Sequence, residues 1–156
     1  MPSEFVKEVA DVFAKDGPLS KVTANYTPRP SQIEFATSVA EALEKGKTLV
    51  AEAGTGTGKT FAYLVPALLK DQKVLISTAG KTLQDQLFTK DIPALLKALG
   101  MGCRVALLKG RSNYICKQRL EHALQEDSYV AKSREEVVHL HRIKTVSYTH
   151  LTLPTI

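Results

Sequence analysis

Apolar positions recur along this chain with two different spacings, and the change from one to the other lays out its elements. Over residues 3–15, Phe5, Val9 and Phe13 fall at i, i+4 and i+8, the stripe of an amphipathic helix. Gly17 and Pro18 close it, and a loop leads to Pro28, Arg29 and Pro30, where prolines exclude regular structure. Ser31 predicts the start of a second helix, because Ser31 and Glu34 have capping-box spacing ahead of Ile33, Ala36, Val39, Ala40 and Leu43. Gly46 is its natural stop. The apolar run 48–53 reads as a short strand, followed by a glycine-rich turn. A helix then begins near Gly58 and carries Phe61, Leu64, Val65, Leu68 and Leu69. Pro66 inside it predicts a kink or a displaced hydrogen bond.

Beyond that helix, residues 73–78 read as a second strand, 82–89 and 92–99 as helices ending at Gly100, and 104–108 as a third strand. Two further helices are predicted over 117–126 and 133–144, the latter opened by the capping pair Ser133 and Glu136. Short apolar strands alternating with helices indicate βαβ units. The expected fold is therefore α/β, with a parallel sheet and flanking helices. There is no internal repeat and no low-complexity segment.

Composition changes this picture little. With 156 residues, 44% hydrophobic and 24% charged, the chain is long enough for one domain with a modest core and is not disordered throughout. No apolar run approaches the roughly 20 residues that span a bilayer. The opening residues lack a basic segment followed by a continuous apolar stretch, so no secretory leader is read there. Two cysteines, Cys103 and Cys116, are too few for a disulfide framework, and the default expectation is a cytoplasmic protein without a membrane partner. The net charge of +5 permits a polyanionic partner without demanding one. Cys103 reads as a buried small hydrophobe.

Residues 146–155 read VSYTHLTLPT, similar to a translated transposase sequencing adapter (gtc-tct-tat-aca-cat-ctg-acg-ctg-ccg-acg). Residues 146–156 are accordingly expected to be a non-native tail, with the reading frame interrupted there. The alternative is a natural edge strand alternating through Val146, Tyr148 and His150.

The strongest chemical signal is Glu52, Ala53, Gly54, Thr55, Gly56, Thr57, Gly58, Lys59 and Thr60, lying between an apolar run and a helical pattern. That context separates a working phosphate loop from a chance match. Gly54, Gly56 and Gly58 admit backbone dihedrals closed to other residues, so successive N–H groups can line one concavity around phosphate oxygens. The following helix adds its positive end. Lys59 supplies a cation for the β- and γ-phosphates, and the Thr60 hydroxyl is placed for Mg²⁺. Ala53 departs from the strict pattern, which starts with glycine; alanine is tolerable where φ stays negative. Hydrolysis also needs a carboxylate, usually at the end of another strand. The second and third predicted strands end at Thr78 and at Lys109 and Gly110, and Glu52 is badly placed for that task. The chain is thus expected to bind a nucleoside triphosphate and, by itself, not to hydrolyse it.

Longer matches narrow the class. Arg29, Pro30, Ser31 and Gln32, the loop 52–60 with its continuation through Leu64, the segment 75–87 and the segment 105–116 together resemble the DinG/XPD group of superfamily 2 DNA helicases, most nearly its bacterial YoaA branch. The resemblance covers about residues 20–126. It implies an incomplete RecA-like ATP-binding domain over 20–115, preceded by an N-terminal helix at 1–19 and followed at 116–145 by the start of an iron–sulfur domain.

The resemblance also implies roles. Taken alone, Gln32 is an exposed helix-start glutamine; in the family it recognises adenine with Arg29 nearby, pairing N6 and N7 through its donor and acceptor. Ser77, Thr78, Lys81, Thr82 and Gln86 read individually as turn and cap groups, and the resemblance makes them contacts to single-stranded DNA phosphates. Cys116, by spacing alone a structural thiol, takes the place of the first thiolate of a [4Fe–4S] cluster, which needs four ligands. His122, His139 and His141 form no ligand pattern with it and read as exposed helical residues. The implied function of the complete protein is an ATP-dependent DNA helicase, with replication or repair proteins as partners. The competing reading is an ATP-binding adaptor module that never hydrolyses its nucleotide.

Overall fold

The computed structural model describes residues 1–23, 25–125 and 133–149, without the side chains of residue 134 and of residues 146–149. The chain divides into two compact units, Met1–Cys103 and Arg104–Ile156.

In the first unit, α1 (Glu4–Val12) starts at Ser3, whose hydroxyl accepts from the Val6 N–H at 3.2 Å. That cap satisfies one of the N–H groups a helix start leaves without an intrahelical partner. Val6, Val9 and Val12 are buried along one face, and Phe13 just beyond is fully buried. The turn that follows brings Gly17 against α1: a Cβ there would lie 2.3 Å from the Asp11 carbonyl oxygen, so only glycine fits. A short 3₁₀ turn (Pro18–Lys21) then buries Leu19.

α2 (Pro30–Lys45) differs from the expected start. Pro30 occupies the first turn, Arg29 takes the cap position without a side-chain cap bond, and Ser31 lies inside the helix. Proline fills that position well because its fixed φ is helical and its missing N–H would have had no partner, so the Ser31–Glu34 box is not used. The C-terminus follows expectation: Gly46 is left-handed at φ 58°, donating back to the Ala42 and Leu43 carbonyls. α3 (Lys59–Leu69) retains Pro66 within the helix, where it is buried. α2 packs against α3 and α1. The fully buried Ala36, Ala40 and Ala62 keep those faces small enough for close approach.

The third part of the unit is one helical run. α4 (Lys81–Gln86) passes through a π turn (Leu87–Asp91) into α5 (Ile92–Leu99), which ends at left-handed Gly100, φ 65°. The two separate helices expected from the sequence are thus joined by a single widened turn. Leu87, Ile92 and Leu95 point into the core with Val9, Phe13, Leu19, Leu64 and Val65. Burying each such side chain contributes about 1.5–3 kcal/mol.

The parallel sheet is not formed among the described residues. Segments 48–53, 73–78 and 104–108 form no strand ladder, and Ala106 is an isolated bridge residue. Val50 and Leu75 are 94% and 93% exposed. A strand has no internal hydrogen bonds; it forms only when neighbours and covering helices close long loops around it, whereas each helix closes its own bonds locally. Cys103, expected to be buried, is exposed for the same reason: it adjoins an apolar segment that no sheet covers.

In the second unit, a 3₁₀ turn (Arg111–Asn113) precedes α6 (Lys117–Gln125), and α7 (Arg134–Thr149) packs against α6. Ser133 caps α7, accepting from the Glu136 N–H at 3.3 Å, as its spacing predicted. The edge strand considered for the tail is not found, since α7 runs on through Thr149. Glu126 and residues 150–156, which hold the rest of the suspected tail, lie outside the described residues. No helix among the described residues is long and apolar enough to cross a membrane.

Candidate nucleotide site

The glycine-rich segment opens directly into α3, so the positive end of that helix faces the loop. Two of its three glycines need their freedom: Gly56 and Gly58 are left-handed at φ 76° and 80°, while Gly54 is not. The expectation for Gly54 is corrected accordingly. Ala53 is not left-handed either, so a side chain at the head of the loop is accommodated. Thr57 braces the turn by donating to the Gly54 carbonyl at 2.9 Å. Thr55 is exposed at its crest.

Lys59 bends back across the loop, and its Nζ donates to the carbonyls of Ala53 and Gly54, at 2.6 Å each. Charge-assisted bonds of this kind hold the ammonium over the cradle. Arg29 and Gln32 meet the same loop from α2. The Arg29 guanidinium donates to the Gly56 carbonyl, and Gln32 Nε2 donates to the Gly58 carbonyl at 2.9 Å. Gln32 is only 7% exposed, unlike the solvent-facing residue its position first suggests. A Cβ on Gly58 would stand 2.1 Å from Gln32 Nε2, so the glutamine occupies the space that glycine leaves.

Tyr26 extends this collar. Its hydroxyl donates to the Phe13 carbonyl at 3.0 Å, and its pKa is raised by burial, an effect the Arg29 charge partly offsets. Tyr63, not singled out from the sequence, stands one turn from Thr60 on α3. Burial raises the Tyr63 pKa, the neighbouring Thr60 hydroxyl lowers it, and the Asp91 charge raises it further.

Of the five residues of the expected DNA-contact segment, Ser77, Thr78, Lys81 and Thr82 lie at or before the start of α4, and Gln86 lies at its other end. Ser77, Lys81, Thr82 and Gln86 are exposed; Thr78 is half-buried and donates to the Gly80 carbonyl at 3.3 Å. Gln86 Nε2 donates to Asp91 at 2.9 Å. In the second unit, Cys116 is exposed at the start of α6, where its carbonyl accepts from the Leu120 N–H. His122, His139 and His141 are exposed, as expected. Among the described residues no three His, Cys, Asp or Glu side chains gather as a metal site.

The sequence profile of DEAD/DEAH box helicases matches residues 33–151, more than half of the chain. The chain belongs to that family. It carries with it a RecA-like P-loop fold, to which the loop geometry above corresponds. Arg29 and Gln32 stand just ahead of the matched span. Among curated relatives, the ATP-dependent DNA helicase YoaA of Escherichia coli is 56% identical over 113 residues, 72% of this chain and 18% of that protein. The ATP-dependent helicase DinG of Mycobacterium tuberculosis is 45% identical over 106 residues, 63% of this chain and 16% of the relative. The 3'-5' exonuclease DinG of Bacillus subtilis is 34% identical over 145 residues, 88% of this chain and 16% of the relative. The chain therefore spans under a fifth of the length of these relatives.

Proposed function

We propose that this chain is the ATP-binding front end of an ATP-dependent DNA helicase. The observation that carries the reading is the loop itself: Lys59 poised on the Ala53 and Gly54 carbonyls, above a turn in which Gly56 and Gly58 are left-handed. The residues fit a triphosphate. A Cβ added at Gly56 would meet nothing within 4 Å, so the open side of the turn has room for phosphate oxygens. Lys59 exchanges its carbonyl partners for the β- and γ-phosphates, residues 54–60 supply backbone N–H groups, and the Thr60 hydroxyl ligates Mg²⁺. Gln32 and Arg29 brace the loop from α2 and leave the Gln32 amide oxygen to the adenine exocyclic amine. The likeness to YoaA, a DNA helicase, supports the extension to DNA. Ser77, Thr78, Lys81, Thr82 and Gln86 then meet the phosphates of a single strand. The site of action is the cytoplasm.

A [4Fe–4S] cluster needs four ligands, and the described residues offer Cys116 without companions. They do not fit that group by themselves.

The test is ATP hydrolysis by the product of the extended reading frame, with and without single-stranded DNA. Stimulation by DNA that Lys59→Ala abolishes supports a motor. Nucleotide binding with no hydrolysis under either condition supports the adaptor reading instead.

A further inference from the structure

The positive charge of this chain is not spread over its surface. Residues 104–120 hold Arg104, Lys109, Arg111, Lys117 and Arg119 and no acidic residue, whereas the rest of the sequence carries 16 basic and 16 acidic residues. The whole excess of +5 therefore sits in this one stretch of the second unit. Arg104, Arg111, Lys117 and Arg119 are exposed, and Lys109 is half-buried. Ordinary solvated faces mix both signs; an unmixed stretch carries a repulsion that a polyanion offsets.

The backbone between these cations is fixed. The Asn113 N–H and the Asn113 side-chain amide both donate to the Gly110 carbonyl, at 2.9 and 3.0 Å, and close the 3₁₀ turn Arg111–Asn113. The Tyr114 hydroxyl accepts from the Lys109 N–H at 2.7 Å, so the phenol spans that turn and is held at its tip, yet it remains 44% exposed. α6 then opens with Lys117 and Arg119 in its first turn, where the positive end of a helix disfavours cations. A fixed aromatic ring among arginines suits an unpaired strand: the ring takes the face of a base while the guanidinium groups take phosphates. A duplex keeps its bases stacked on one another, and a lipid surface asks for a continuous apolar face.

We propose that the turn Lys109–Tyr114 and the start of α6 form a second contact to single-stranded DNA, with Arg111 and Arg119 on backbone phosphates and Tyr114 stacked against a base. The inference rests on the DNA reading of this chain and adds to residues 77–86, which belong to the first unit. The contact is indifferent to sequence, because phosphates and aromatic faces are common to all nucleotides.

The experiment is fluorescence anisotropy of a labelled oligothymidine with the 156-residue chain across a salt series. The proteins are the parent, the pair Arg111→Gln with Arg119→Gln, Tyr114→Leu and Tyr114→Phe. The pair Lys15→Gln with Lys21→Gln removes the same charge from exposed positions of the first unit as a control. The arginine pair is expected to flatten the slope of log affinity against log salt by about 1.4, two phosphates at about 0.7 each, and the lysine pair to leave it unchanged. Tyr114→Leu is expected to weaken binding about fivefold or more at every salt concentration with the parental slope, while Tyr114→Phe, which keeps the ring, binds as the parent does. A parental slope in the arginine pair, or an equal loss in the lysine pair, overturns the phosphate contact. Parental affinity in Tyr114→Leu overturns the stacking, as does an oligothymidine–oligoadenine duplex bound as tightly as the single strand. Phosphatidylglycerol vesicles that bind the parent and not the arginine pair, with oligothymidine affinity equal in both, assign the surface to a membrane instead. A parent chain that binds no oligonucleotide even at low salt overturns the DNA reading itself, a result distinct from parental binding with unshifted variants.

Discussion

Replacing Gly58 with alanine brings two physical effects to one atom. Alanine at φ 80° carries the left-handed penalty, about 1–2 kcal/mol. Its Cβ would also lie 2.1 Å from Gln32 Nε2, so the buried amide must move and give up its bond to the Gly58 carbonyl. Leaving such a group without a partner costs about 1–3 kcal/mol. Restricting the unfolded chain returns about 0.4–1 kcal/mol. The sum is a destabilisation of about 1–5 kcal/mol. In a Gln32→Ala background the clash is gone and only the dihedral penalty remains, so the same change should cost roughly 0.5–1.5 kcal/mol. Urea unfolding of the four members of this cycle, followed by far-ultraviolet circular dichroism, measures the difference. A coupling energy of about 1 kcal/mol or more is expected. Strictly additive effects, or a Gly58→Ala chain as stable as its parent, would refute the claim that Gln32 fills the glycine's space.

Other consequences can be measured independently. Tyr26 and Tyr63 both have pKa values raised above 10.0, chiefly by burial, so the folded state holds these protons more tightly than the unfolded chain. Their contribution is intact below about pH 10 and is lost as pH rises through the folded values; urea midpoints should fall across that range, and less steeply in Tyr26→Phe. The exposed Val50 and Leu75 should drive self-association, and replacing both with lysine should shift sedimentation towards monomer without lowering the melting temperature. The chain alone should show no ATP turnover above background with or without single-stranded DNA, since the expected strand ends carry no carboxylate; DNA-stimulated phosphate release from it would contradict this.

The helices were legible because their signals are local. Gly46 and Gly100 both end helices in left-handed conformations, and Ser133 caps α7 as its spacing implied. The glycine pattern likewise announced a loop ahead of a helix. What sequence could not supply was anything decided by distant partners. The apolar runs 48–53, 73–78 and 104–108 have strand composition, yet pairing depends on neighbours far along a chain. Competition between Ser31 and Pro30 for the start of α2 was settled by which residue already has helical φ. Gln32 looked exposed because a helix start usually is; its burial follows from the loop folding back over α2, a contact 26 residues away. The π turn at Leu87–Asp91 is invisible to a periodicity of 3.6, which simply breaks there into two shorter helices.

Calorimetric titration of ATP into the chain and into Lys59→Ala addresses the phosphate cradle most directly. Saturable Mg²⁺-dependent binding that the substitution weakens at least about tenfold is the predicted result, because Lys59 contributes charge-assisted bonds worth about 1.5–3 kcal/mol. Equal affinity in the two proteins, or no binding by the parent, would contradict it.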